Sequence, residues 1–404
     1  MSGDAGRALQ IVMLLPNNPY PQDVRVRREA ESLTEAGHQV TVICPRDQGQ
    51  PAREMVSGIS VRRYRLPLEG SGALSYIAEY LTVTLSSFFL SLALRFRGRI
   101  DVVHIHNPPD TMGLVARALQ LLGARFVYDH HDLAPELYRA RFGARARPSV
   151  HRVLLQLERW CCRWADHVIT TNESYRAIEL QRDGLEASDI TIVRNGPQAE
   201  KFRSAVADDS VREGAPILVC YAGAIGPQDG VDYLVRAMGE LVHTLGRKDV
   251  CCHVLGDGDA LPQVKALVGD LEITDAMRFT GWLNGSQYLS HLAAADICVE
   301  PAPSSPYNER STTIKILEYM ALGKPIVAFD LTEHRVSAAD AALYVTPNDS
   351  RAFANAIAEL ADDEPARTKM GLVGQERIET KLSWSHSAPA LLSVYNDLAA
   401  AVDR

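Results

Sequence analysis

A chain of 404 residues with 46% hydrophobic and 23% charged side chains has room for two ordinary domains and the composition of a globular protein. Its net charge of −8 excludes a general nucleic-acid binder, which would carry a basic surplus. The charge is uneven, with 24 arginines against 22 acids in residues 1–200 and 18 basic residues against 28 acids in the remainder. Seven cysteines, odd in number and without C-x-x-C spacing, fall mostly in apolar runs and are expected as reduced core thiols of a cytoplasmic protein. Ile11–Leu15 is too short an apolar run for a signal peptide.

In chain order, Ile11–Leu15 reads as a first buried strand. The loop PNNPYPQD follows, then a polar-faced helix over Arg25–Ala36, ended by Gly37, and a second strand over Val40–Cys44. This βαβ unit implies parallel pairing with a right-handed crossover. Its first loop lies at the carboxyl edge of the sheet, where doubly wound folds bind ligands. Arg25, Arg27 and Arg28 at the helix start fit either an anionic acceptor or a solvated first turn. Tyr76–Phe96 is the most apolar segment, yet Glu79 and five Ser or Thr residues interrupt it, which argues against a membrane span. It is expected as a buried helix on the first sheet. The alternative is a helix lying on an anionic membrane surface, flanked by Arg95, Arg97 and Arg99. A second basic cluster comprises Arg139, Arg141, Arg145, Arg147 and Arg152.

Asp101–Asp110 and Ala124–Glu136 each read as a strand running into a loop at one sheet edge. Their polar load includes His104, His106, Asn107, Asp110, Asp129, His130, His131, Asp132 and Glu136. The H-x-H pair puts both rings on one face, as half-buried core or as a site, and the spacings fit no closed zinc pattern. Val168–Asn172 and Ile190–Gly196 continue the alternation, and polar Asp208–Pro216 suits a linker. Ile217–Met238 begins a second set of elements: a strand, a turn containing Gly223 and Gly226, then a helix, a geometry that lets backbone approach a phosphate. Asp257-Gly258-Asp259 has a D-x-D form but reads as a turn. Phe279–Leu283, Asp296–Ala302 and Ala341–Pro347 are further strands, and Trp384–Val402 reads as terminal helices.

The stretch from Asn308 to Asp330 carries the most chemistry. Ser311, Thr312 and Thr313 suit a helix N-cap, Ile314, Leu317 and Ala321 form a buried stripe, and Lys315 and Glu318 share another face. Gly323 and Pro325 stop the helix before the strand IVAF. A helix N-terminus with a lysine in its first turn suits a diphosphate, and a carboxylate one turn on can accept from sugar hydroxyls. An ordinary solvated Lys–Glu pair is the plain alternative.

This stretch, with Glu318-Tyr319-Met320-Ala321-Leu322-Gly323-Lys324-Pro325, resembles the donor-binding segment of the family 4 retaining glycosyltransferases. Those enzymes have the α/β GT-B fold, and the likeness extends over nearly the whole chain. It implies two Rossmann-like doubly wound domains facing across a cleft. Residues 1–205 would bind the acceptor, 206–380 the nucleotide sugar, and 381–404 would be helices crossing back to the first domain. The resemblance implies that Glu318 holds the donor ribose, and that His131 matches the active-site histidine and contacts the donor sugar. The donor set is then Gly223, Gly226, Asn308, Arg310, Ser311, Thr312, Lys315 and Glu318. His131, Glu309 and Lys315 are the catalytic candidates, and Asp23, Arg25, His106, Asn107 and Asp110 the acceptor candidates. Two departures stand out. Ala224 and Asp229 occupy positions where most members keep diphosphate-binding cations, for which Arg310 and Lys315 are the available replacements. Arg310 also falls where the first of two paired acids is usual, with Glu309 beside it. The implied reaction is metal-independent and needs no cofactor beyond the nucleotide-diphosphate sugar, its co-substrate. The acceptor is a hydroxyl, lipid-linked as one option, in polysaccharide, glycolipid or glycoconjugate synthesis. The location is cytoplasmic, with the inner face of the plasma membrane as the corresponding option. A nucleotide-sugar epimerase of the same fold and a non-catalytic partner subunit are the alternatives.

Overall fold

The computed structural model describes residues 7–66 and 73–402. The chain forms two compact units. One comprises residues up to Tyr138, Ala144–Asn195 and Ser387 onward; the other comprises Arg139–Gly143 and Gly196–His386.

The first unit holds an eight-stranded sheet in the order β3-β4-β2-β1-β5-β6-β7-β8. Its strands are β1 (Gln10–Leu14), β2 (Gln39–Pro45), β3 (Arg53–Val56), β4 (Ile59–Tyr64), β5 (Val102–His106), β6 (Arg125–His130), β7 (His167–Thr170) and β8 (Ile190–Ile192). Parallel ladders join all neighbours except β3, which pairs antiparallel with β4. The β3–β4 hairpin was not apparent from periodicity. Its strands are short and arginine-rich, and Ser57 and Gly58 turn it with positive φ. Helix α1 (Val24–Glu35) starts where Asp23 accepts from the Val26 amide at 3.0 Å, a conventional N-cap. α2 (Ala73–Arg97) and α3 (Met112–Leu121) follow.

The solvated first turn expected for α1 is corrected by the structure: Arg25, Arg28 and Glu29 are all buried. The expectation of a buried helix over Tyr76–Phe96 also needs correction. α2 contacts β2, β4 and α3. Its inner edge is formed by Val83, Ser87 and Ser91, while Leu81, Leu85, Phe89 and Phe96 are exposed. The apolar residues are too numerous for one face, so the sequence alone could not tell which of them point inward. No described helix is long and apolar enough to cross a membrane.

The second unit holds an all-parallel six-stranded sheet, β11-β10-β9-β12-β13-β14. Its strands are β9 (Ile217–Ala222), β10 (Val250–Leu255), β11 (Met277–Gly281), β12 (Ile297–Glu300), β13 (Ile326–Phe329) and β14 (Ala342–Val345). Around it lie α4 (Val231–Gly239), α5 (Gly285–Ala293), α6 (Ile314–Ala321) and α7 (Thr332–Ala338). Hydrophobic clusters cover both faces. Val219, Tyr221, Val254 and Val299 lie on one, and Leu218, Cys220, Leu255 and Cys298 on the other. Such two-sided burial is why these strands read as continuous apolar runs. The unit begins ahead of position 206, because Ala199 and Phe202 pack into the second of these clusters. The last helix, α8 (Trp384–Val402), belongs from Ser387 on to the first unit, and within that unit its Tyr395 hydroxyl lies 2.8 Å from His104 Nδ1.

Strand order reverses between β1 and β5 in the first sheet and between β9 and β12 in the second. The diverging crossovers leave a crevice at the carboxyl ends of such strand pairs, which is where ligands of doubly wound sheets bind. The polar residues singled out above collect at these two points.

Candidate functional site

In the second unit, β9 ends in Tyr221-Ala222 and turns through Gly223, while neighbouring β12 ends in Glu300. Gly223 has φ +145°, a conformation side-chain-bearing residues rarely adopt. A Cβ there would sit 3.0 Å from Lys315 Cε and 3.3 Å from its Nζ, so the ammonium lies directly over the bare turn. Lys315 comes from the first turn of α6. Its Nζ donates to the Tyr221 hydroxyl at 3.0 Å, lies 4.4 Å from that ring's centroid, and is 3.3 Å from Glu300 Oε2. Burial alone would lower the Lys315 pKa, but Glu300, Tyr221 and Asp229 outweigh it and hold it above the usual lysine value. The lysine is therefore charged and fixed, with 11% of its side chain exposed.

The loop below it is braced from within. Asp229 accepts from the Gly226 amide and from Gln228 Nε2, both at 2.9 Å, and burial pushes its pKa up. Asn308 Nδ2 donates to Gln228 O at 2.9 Å and Pro303 O at 2.8 Å, tying the 223–230 turn to the loop before α6. Asp229 thus serves the turn in place of the cation expected there. Glu318, one helical turn after Lys315, accepts from the Tyr288 hydroxyl of α5 at 2.5 Å. The strand β10 closes the floor. Gly256, just beyond it, packs so tightly that a Cβ would stand 1.8 Å from Gly223 O. Gly256→Ala is therefore expected to cost about 2 kcal/mol or more of stability. A thermal unfolding midpoint equal to wild type would contradict this close approach.

The other candidates of this segment are placed differently. Glu309 does not stand open for a sugar. Its Oε1 accepts from Ser304 Oγ at 2.7 Å, and its Oε2 accepts from both the amide and the hydroxyl of Thr332 at 3.1 Å, at the start of α7. Burial raises its pKa, but these donors outweigh burial and lower it. Arg310 donates to Pro306 O at 2.6 Å, in its own loop. Ser311 Oγ donates to Tyr307 O at 2.9 Å and Thr312 Oγ1 to Glu333 Oε2 at 3.2 Å. Neither hydroxyl caps α6, whose N-cap is Thr313 without a side-chain cap bond.

In the first unit Asp129, at the end of β6, is the hub. Its carboxylate accepts from Arg25 Nε at 2.7 Å and Nη2 at 2.6 Å, and pairs with His106 Nδ1 at 2.8 Å and His131 Nδ1 at 3.0 Å. Burial opposes its ionisation, yet Arg25 and His131 hold its pKa well below the usual range. Arg25 also donates to Val193 O and Asn195 Oδ1, so it is a fixed internal cation rather than an acceptor-facing one. Asn107 is a clamp: its Oδ1 accepts from the His131 amide at 2.9 Å and the Asp132 amide at 3.1 Å. The Tyr128 hydroxyl donates to Asp110 at 2.7 Å, and burial raises the Asp110 pKa to about 6. Asp23 caps α1. Of the three side chains bonded to Asp129, His131 is the most exposed, at 13% of its side chain, while Arg25 and His106 are buried. Burial would lower its pKa; Asp129 overrides burial and raises it.

His104, His106, Glu29 and Asp129 offer ligand atoms within 4.8 Å of one another, a grouping the linear spacing did not disclose. A metal ion there would share both carboxylates with Arg25, which is 3.2 Å from Glu29 and bonded to Asp129. Asp129, Glu300, Tyr221 and Tyr288 are residues that sequence reading left out of the site. The D-x-H spacing of Asp129 and His131 was a usable signal; Glu300 closes an apolar strand and had none.

Residues 22–196 match the model of the glycosyl transferase 4-like domain, and residues 216–363 match that of the glycosyl transferases group 1. The chain belongs to the group 1, GT4-type glycosyltransferases. Its fold is GT-B: the sucrose-phosphate synthase of Thermosynechococcus elongatus superposes with TM-score 0.80 at 20% identity, covering 97% of this chain and 100% of that one. A 2-deoxystreptamine glucosyltransferase of Streptomyces kanamyceticus is 24% identical over 92% of this chain and 97% of its own length. The alpha-D-kanosaminyltransferase of the same organism is 28% identical, over 45% of this chain and 46% of that one. This glycosyltransferase therefore shares its family and fold with transferases of sugars, which does not favour an epimerase or a non-catalytic subunit. The latter reading rested on Ala224 and Asp229, and Lys315 now supplies a cation at the same turn.

Proposed function

We propose that this glycosyltransferase moves a hexosyl group from a nucleotide-diphosphate sugar to a hydroxyl with retained configuration and without a metal ion. The observation that carries the reading is the Lys315 ammonium held over the Gly223 turn at the strand-order reversal of the second sheet. In this reading the diphosphate meets Lys315, the backbone of the Gly223 turn and the start of α6, with Arg310 as a second cation from the preceding loop. Preorganised positive charge on a leaving group is commonly the largest catalytic contribution. Glu318 accepts from the donor ribose; a carboxylate has about four lone-pair sites, so it can do this while holding Tyr288. His131 contacts the sugar near the reacting carbon. The bond from that carbon to the diphosphate breaks, and the acceptor oxygen bonds on the same face. The acceptor proton passes to the departing phosphate oxygen.

The acceptor is assigned to the first unit and to polysaccharide or glycoconjugate synthesis, lipid-linked where the enzyme works at the inner face of a membrane. Seven free cysteines, six of them buried, support a reducing compartment.

A panel of nucleotide sugars read by thermal unfolding tests the donor site, because a bound donor raises the midpoint by mass action. One donor is expected to raise it, and Glu318→Ala to abolish the rise, with the ligand-free stability lowered only by the loss of the Tyr288 partner, about 1–3 kcal/mol. No response to any nucleotide or nucleotide sugar would sink the donor assignment. Consumption of donor without any acceptor, giving an isomerised sugar, would sink the transferase reading.

A further inference from the structure

The sheet-facing and solvent-facing sides of α2 are not those of an ordinary surface helix. Inward lie Val83, Ser87 and Ser91, four residues apart, with Leu90 and Leu94 packed against the first unit's core. Outward lie Leu81, Leu85, Phe89 and Phe96, also at helical spacing, with Phe89 62% and Phe96 81% exposed. Amphipathic helices of globular domains put apolar residues inward and polar ones outward. Here hydroxyls are spent on the interior and two phenyl rings on the exterior. The outer ridge runs from Leu81 to Phe96, roughly 22 Å at 1.5 Å per residue.

Beyond Glu79 the charge along α2 has one sign, and the acid of the neighbouring hairpin, Glu54, is paired with Arg63. From Tyr80 to Arg99 the sequence contains no Asp or Glu, while Arg95, Arg97 and Arg99 close the segment. Arg95 donates to Leu122 O and Arg99 pairs with Asp101, so both are anchored beside the ridge. Arg97 is exposed and, like Arg53, brings its charge to bear on Arg62 of the β3–β4 hairpin. Burial first, then these two like charges, lower the pKa of Arg62. An anionic partner would relieve the like charge that Arg53 and Arg97 place on Arg62. α3 extends the same character, with Leu121 exposed and no acid between Thr111 and Tyr128.

We propose that the outer ridge of α2, with Arg97 and the hairpin arginines beside it, docks on the surface of an anionic lipid bilayer. A convex apolar ridge with a basic rim fits the interface, where rings enter the acyl boundary and guanidinium groups stay among phosphates. A crossing helix is not what is seen, since no described helix qualifies as a span. A second copy of the chain is a poor occupant, because two such faces would bring arginines together with no acid between Tyr80 and Arg99 to pair them. This gives the membrane location named with the acceptor a specific surface, and it rests on α2 and the hairpin rather than on the donor site.

The test is co-sedimentation of the full chain with vesicles of phosphatidylcholine alone and of an equal mixture with phosphatidylglycerol, in about 0.1 M salt. The bound fraction is expected to rise at least about fivefold on the anionic vesicles and to fall again in high salt. Leu85→Asp/Phe89→Asp is expected to return binding to the neutral-vesicle level, with the unfolding midpoint and the response to nucleotide sugars unchanged. Independently, Phe96→Trp should add emission that shifts to the blue only with anionic vesicles. Wild-type protein remaining in the supernatant with both vesicles would overturn the proposal. So would a double variant that sediments like wild type, or a vesicle-indifferent dimer that the double substitution dissolves.

Discussion

Lys315→Met is expected to lower turnover by about 10²-fold, the loss seen when one preorganised group facing a developing negative charge is removed. The same substitution should also destabilise the fold. Glu300 is fully buried, with its Oε1 accepting only the Ala302 amide at 3.2 Å and its Oε2 facing the ammonium at 3.3 Å. Breaking a buried pair from one side leaves an uncompensated charge and costs about 3–5 kcal/mol. The two effects separate in Lys315→Met/Glu300→Gln. Without the carboxylate there is no stranded charge, so the double variant should recover most of the lost midpoint while turnover stays low. Stability and turnover recovering together would mean that Lys315 is structural and that the diphosphate is gripped elsewhere.

His131→Ala is expected to reduce kcat by on the order of 10²-fold with little change in donor affinity, as for a contact made mainly at the transition state. The fold should survive, because Asp129 keeps its bonds to Arg25 and His106. A pH signature accompanies the change. The folded pKa of His131 lies above its unfolded value, so its pairing with Asp129 contributes stability fully present below about pH 6.5. That contribution is lost as pH rises through the folded value. Asp129 has the opposite sign: its pKa is depressed, so its share is present above the unfolded carboxylate value and lost as pH falls through the folded one. His131→Ala should therefore flatten the alkaline side of the stability profile and leave the acid side steep. A variant with wild-type kcat and a wild-type profile would remove His131 from the chemistry.

Much of the fold was legible because parallel strands buried on both faces write themselves as unbroken apolar runs. Ile11–Leu15, Val40–Cys44 and the IVAF strand are found within a residue or so of expectation. The β3–β4 hairpin was not, since an edge strand such as Arg53–Val56, with alternate residues exposed, carries no apolar run. At the site, Lys315 and Glu318 were readable from helical spacing and resemblance. Glu309 was not: its partners Ser304 and Thr332 lie five and 23 residues away, and nothing local says which way a loop carboxylate turns. Arg25 misled for the same reason. An arginine in a first turn is solvated by default, and only the arrival of Asp129 from β6, 104 residues on, buries it.

By itself the sequence determined the alternation of strands and helices, because hydrophobic period is a local property of the chain. The GT-B resemblance likewise rested on contiguous residues. Tertiary structure alone decided the pairings that give those residues their chemistry. Tyr221 joins Glu300 and Lys315 because β9 and β12 are neighbours at a reversal of strand order, and Asp129, with His131 two residues on, collects Arg25 and His106 from two other segments. It also decided that α2 turns its phenyl rings outward, since which side of a helix is buried depends on what packs against it.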